Sequence, residues 1–161
     1  MASPEGRTDL EQLRLSIPPE PGYIAMARMF AASVARHLGC DEDVVEDVKV
    51  AISEACTNSV KAHRETGNAD PIDLRARIGE GDVTFEIVDS GGGFDADLHK
   101  AVSESAATPA SGLYEGSLGL QLIRALFPET EIVTNDGGTT VRFVVPAGTS
   151  DAAPDDLDLS R

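Results

Sequence analysis

The order of strand-like and helix-like segments predicts an α/β protein. The expected form is a two-layer α/β sandwich, a mixed, mostly antiparallel sheet covered on one face by helices. Three observations carry that expectation. Ile72, Leu74, Ala76 and Ile78 alternate with polar residues, as do Val83, Phe85 and Ile87, and the short turn Gly79 to Asp82 joins them as an antiparallel hairpin. Two helical periodicities precede this hairpin with no strand between them, which argues against a strict βαβ alternation. A second pair of strands, starting at Ile132 and Val141, closes the chain around the turn Asn135 to Gly138.

Each element has a local signal. Leu13, Leu15 and Ile17 alternate as a strand, and Pro18 with Pro19 stops it. Tyr23, Ala27, Phe30, Val34 and Leu38 recur at spacings of four and three, with Gly39 as a C-cap. Asp41 can cap a second helix over residues 42–64, and Glu42 and Asp43 suit its positive end. Residues 67–71 form a loop, and residues 96–116 are Ser-, Ala- and Gly-rich with weak periodicity. A short helix follows from Leu118 to Leu126, and Pro146 ends the last strand. Residues 1–9 and the acidic stretch 148–161 are expected to be disordered, which leaves one domain over residues 10–147.

Composition excludes several functions. Asp plus Glu number 28 against 13 for Lys plus Arg, a net charge of −15, so direct nucleic-acid binding is disfavoured. No apolar run is long enough to span a membrane, and the N-terminus lacks the apolar core of a secretory signal. Cys40 and Cys56 lack metal-ligand spacing and read as buried thiols in a reducing compartment. The expectation is a soluble cytoplasmic domain.

Three stretches carry chemistry. Glu54 and Asn58 stand four residues apart on the second helix and share a face, with Lys61 one turn on. Val44, Val48, Ile52, Ala55 and Ser59 form an apolar stripe on another side, so the polar trio is expected to look outward. A carboxylate, an amide and an ammonium there suit a phosphate and metal site; a solvated helix face is the plainer alternative. Asp89, Ser90, Gly91, Gly92 and Gly93 put a carboxylate directly after a strand, followed by backbone that a flat ring can approach. A tight turn would look similar. Gly116, Ser117, Leu118, Gly119 and Leu120 open a helix whose free N–H groups favour phosphate oxygens, or merely permit close packing at a loop-to-helix junction. A Walker loop is absent, since none of Lys49, Lys61 and Lys100 follows the required glycine spacing. No glycine turn links strand to helix in Rossmann fashion either.

Taken together and in this order, these stretches resemble the GHKL ATPases, which share the Bergerat ATP-binding fold. Within them the chain looks most like the anti-sigma-factor serine/threonine kinases of bacterial partner-switching systems. The resemblance covers residues 10–146: Glu54 to Asn58 matches the N box, Asp89 to Gly93 the DxGxG motif, Gly116 to Leu120 the second glycine box, and Gly138 to Val141 the closing Gly-Thr motif. It implies ATP and Mg²⁺ as cofactors, with Asn58 holding the metal and Glu54 acting as general base. Asp89 would read the adenine amine with Thr139 helping through a water, and Gly91 and Gly93 would shape the ring pocket. Residues 95–115 would form a lid, the backbone of Gly116, Leu118 and Gly119 would hold the phosphates, and Lys61 could neutralise their charge. It further implies a sigma factor and a small phosphorylated antagonist as partners. A homodimer is implied as well, the sheet edge at Leu13 to Ile17 being one place for it. The alternative is a non-catalytic ATP-binding module that only sequesters its partner.

The chain departs from the family pattern in two places. Ala62 stands where a His or aromatic is frequent, so His63, one step on, is expected at the helix-end surface. Ser117 replaces a common Gly.

Overall fold

The computed structural model describes residues 11–91, 115–135 and 137–148. Gly93, nearly all of the lid and, apart from Gly148, both ends expected to be disordered lie outside them. The elements are β1 (Glu11–Ile17), a 3₁₀ turn (Pro21–Tyr23), α1 (Ile24–His37), α2 (Glu42–Thr66), β2 (Ile72–Ile78), β3 (Asp82–Asp89), α3 (Glu115–Leu126), β4 (Glu131–Asn135) and β5 (Gly138–Pro146). Among the described residues no helix is long and apolar enough to cross a membrane.

The five strands lie in the order β1-β2-β3-β5-β4. Among the described residues all four pairings are antiparallel, so the sheet there is not mixed as expected. The reason is the position of β5. It inserts between β3 and β4, which run the same way, and separates them. One face of the sheet meets the helices across a core that includes Phe85, Phe143, Ile52, Leu74 and Ile123. Phe143 is its centre, with ring centroids 5.5 Å from Phe85 and 4.7 Å from Phe127. β1 is an edge strand whose apolar alternation is only partly used: Ile17 is buried, whereas Leu13 is 44% exposed.

Local chemistry ends the two long helices in the same way. After α1, the Gly39 N–H reaches the Arg36 carbonyl (3.0 Å) and the Cys40 N–H the Ala35 carbonyl (3.1 Å). After α2, Gly67 and Asn68 repeat the pattern on Arg64 (3.3 Å) and His63 (2.9 Å). Both are Schellman caps, and both turn on a glycine at positive φ, 74° and 65°. The second cap sends Asn68 back toward the end of β3.

The open face of the sheet is charged. Register aligns Arg14, Arg75, Glu86, Arg142 and Glu131 in one row across the whole sheet. Glu86 is only 2% exposed on this face, because the arginines cover it. Its carboxylate takes Arg142 Nε at 2.9 Å and Arg77 Nη2 at 3.3 Å. Arg14 and Arg75 are directly opposed like charges, and Asp73 separates them, pairing with Arg14 at 2.5 Å and with Arg75 at 3.8 Å. Partial burial pushes the Asp73 carboxyl up, but the Ser16 hydroxyl and the Arg14 guanidinium outweigh it and hold the group below the usual carboxylate range.

A depressed folded-state value means that Asp73 stabilises the fold above the unfolded carboxylate pKa, about 3.9. That contribution disappears as pH falls through the folded value. Asp73→Asn is therefore expected to lower the melting temperature at pH 7 and to converge on the parent as pH falls through the folded value. Thermal unfolding across that range is the check, and a gap that persists unchanged into acid contradicts the assignment.

Candidate functional site

α2 is the spine of the site, and adjacent residues on it face different elements. Asn58 is 9% exposed and Glu54 half-buried, so they do not look outward as expected. The cause is α3, which crosses that face of α2. A Cβ added at Gly119 would lie 2.5 Å from Glu54 Oε2 and 3.5 Å from Asn58 Nδ2. Gly119 thus sits in the second turn of α3 and gives the N-box pair room, rather than offering a free N–H. The N–H groups of the first turn, from Glu115 to Ser117 and including Gly116, are those left without intrahelical partners. Leu118 follows that first turn with its side chain exposed. Lys61 is exposed one turn beyond Asn58.

Ser59, next to Asn58, faces the sheet. Its hydroxyl donates to Asp89 Oδ2 at 2.6 Å, and the Gly91 N–H donates to Asp89 Oδ1 at 3.1 Å. Asp89 ends β3, is 8% exposed, and stands in register with the buried Thr139 of β5. A buried carboxylate needs such donors, because desolvation without them is costly. Cys56, one turn before Ser59, is also buried near Asp89. Burial, with a smaller contribution from the Asp89 charge, pushes its thiol up to about 12. It stays protonated at neutral pH and is inert as a nucleophile.

Two residues lie elsewhere than the sequence pattern suggests. Ser59 stands in the apolar stripe, yet it is the hydroxyl partner of Asp89. A lone serine between Ile52, Ala55 and Cys56 on a buried face was the available signal, since a buried hydroxyl needs a partner. His63, expected at the surface, is fully buried, and neither ring nitrogen has a hydrogen-bond partner among the described residues. The helix continues to Thr66, so residue 63 falls on the inward stripe one turn after Ser59. Gly91 then covers it: a Cβ there would lie 2.8 Å from His63 Cδ2 and 2.9 Å from Ala62 Cβ. The small Ala62 and the bare Gly91 let this segment lie directly on α2.

The structure therefore brings together Glu54, Asn58 and Gly119 midway along α2. On the adjoining face it gathers Ser59 and Gly91 on the Asp89 carboxylate, with Thr139 opposite Asp89 in the sheet.

Comparisons with known proteins identify the family. The model of the histidine kinase-like ATPase domain matches residues 17–145. The serine-protein kinase RsbW of Bacillus velezensis is 33% identical over 135 residues, covering 82% of this chain and 84% of that protein. RsbW of Bacillus subtilis is 33% identical over 139 residues, 84% and 85% of the two chains. The crystal structure of the RsbU and RsbW domains of Rv1364c from Mycobacterium tuberculosis shares the fold, with a TM-score of 0.59 at 21% identity over 83% of this chain and 32% of that one. An antiparallel sheet with one helical face and these matches along most of the chain lead to one conclusion: the chain belongs to the histidine kinase-like ATPase domain family, among the RsbW serine-protein kinases.

Proposed function

We propose that this chain is an ATP-dependent serine/threonine kinase that is also an anti-sigma factor. It sequesters a sigma factor and phosphorylates a small anti-sigma-factor antagonist on Ser or Thr. The observation that carries the reading is the packing of Gly119 against Glu54 and Asn58, on the helix whose next residue anchors Asp89.

Phosphoryl transfer requires chiefly positioning and charge stabilisation. Glu54 takes the proton of the attacking hydroxyl as its oxygen bonds to the γ-phosphorus and ADP leaves. A base in that role is worth about 10²–10⁴-fold in rate, or roughly 3–5 kcal/mol of barrier. The carboxamide of Asn58 suits a hard cation, and it would hold Mg²⁺, which neutralises phosphate charge when bound. The free N–H groups of the α3 first turn, Gly116 among them, favour phosphate oxygens, and Lys61 adds positive charge beside them. Asp89, with Thr139 opposite, reads the adenine amine, and Gly91 lines the ring pocket. The exposed edge strand β1 suits a homodimer contact. Cytoplasmic residence follows from the proposed partners.

Two substitutions test the reading. Glu54→Gln is expected to leave ATP affinity within about twofold while lowering transfer of labelled phosphate by about 10² or more. Retained transfer removes Glu54 from the base role, whereas sigma-factor capture with no transfer in the parent favours a sequestering module without catalysis. Asp89→Asn keeps an acceptor for Ser59 but loses the charge. It is expected to weaken ATP binding by about 10–100-fold, the effect of one charge-assisted hydrogen bond. Calorimetric titration gives the answer, and an unchanged affinity refutes the adenine contact.

A further inference from the structure

The segment that follows β3 is tied down by residues that belong to none of the nucleotide motifs. Asn68 Nδ2 donates to the Ser90 carbonyl at 2.6 Å and lies 3.3 Å from Ser90 Oγ. Its Oδ1 accepts the Asp70 N–H at 2.8 Å, and its own N–H closes the α2 cap on the His63 carbonyl at 2.9 Å. Ser90 Oγ in turn donates to Asp70 Oδ2 at 3.2 Å. On the next residue, Thr66 Oγ1 donates to the Gly91 carbonyl at 3.1 Å, while Ala62 and His63 lie beneath it. Every polar atom of the Asn68 side chain is thus engaged, and its donor side holds the backbone between Asp89 and Gly91.

That placement matters because the Gly91 N–H is one of the two donors that orient the Asp89 carboxylate. We infer that Asn68 is a positioning residue for base recognition: through Ser90 and Gly91 it holds Asp89 at the angle that distinguishes a purine bearing an exocyclic amine from one lacking it. The inference rests on Asp89 reading that amine. Asn68 never touches the nucleotide. Its action runs from the αL turn at Gly67, through one amide, to the residue beside the reading carboxylate. The Ser59 bond fixes the other oxygen, so loss of the Asn68 donor leaves the carboxylate tethered on one side and free to swing.

Asn68→Asp removes the donor, with an added negative charge that the uncharged Asn68→Ala controls for. It keeps an acceptor for the Asp70 N–H and a backbone that caps α2, but it cannot donate to Ser90. Asn68→Ala removes both side-chain bonds. In nucleotide-free protein, amide exchange at Gly91 is expected to accelerate about tenfold in both variants, the consequence of losing about one hydrogen bond. Protection at Val48 to Cys56 should not change. With ATP and inosine triphosphate as probes, the parent should prefer ATP. Asn68→Asp should weaken ATP by about 5–10-fold, leave inosine triphosphate nearly unaffected, and leave transfer at saturating ATP as in the parent. A silent Asn68→Asp beside an impaired Asn68→Ala would assign the effect to the turn alone and overturn the inference. So would an intact preference for ATP, or a Gly91 amide that stays protected. Equal affinities in the parent would instead overturn the reading of Asp89, and the exchange measurement separates the two failures because it needs no nucleotide.

Discussion

A buried carboxylate at the end of β3 sets the terms for the site. Asp89 is almost fully withdrawn from water, and a charge in that position persists only where donors replace its hydration. Ser59 supplies one from α2 and Gly91 another from the segment that follows. Several otherwise odd choices then make sense together. A serine interrupts the apolar stripe of α2, a glycine succeeds the strand with no room for a side chain, and Cys56 nearby stays a thiol. The same two bonds leave lone pairs on both oxygens, which is what a group reading an amine requires.

α2 distributes these duties by its periodicity. Residues 58 and 59 are about 100° apart on the helix, so one reaches α3 and the other β3. The glycine on α3 brings the two helices close enough for Glu54 and Asn58 to be held by packing. In a site that works by positioning, such packing matters as much as the chemistry of the groups it holds. The opposite face of the sheet follows another principle. Its row of charges buries Glu86 under arginine stems rather than under a second layer of helices. An antiparallel sheet can leave one face to water in this way.

What could be read without the fold was local. The hairpin of β2 and β3, the αL glycines that end α1 and α2, the turn before β5 and the three nucleotide stretches each depend on neighbours in the chain. Alternation and turn chemistry therefore found them, and Glu54, Asn58 and Asp89 could be proposed from spacing and order. The helix at α3 begins three residues earlier than its apolar pattern suggested, because its first turn is Glu115, Gly116 and Ser117.

Tertiary structure decided whatever depends on which element covers which. The strand order, with β5 between β3 and β4, turned an expected mixed sheet into an antiparallel one. Asn58 became buried because α3 lies on it, and His63 because Gly91 does. Ser59 acquired a carboxylate partner thirty positions away, and Asn68 one in the backbone of Ser90. Periodicity can mark a buried face, as it does at Ser59 and His63, but it does not name the partner met there. The amino-acid sequence by itself determined which elements form and which groups are available for chemistry, through dihedral preference and the spacing of apolar residues. Only the folded chain decided which of those groups lose water and to whom they bond, because desolvation is a property of the assembled layers.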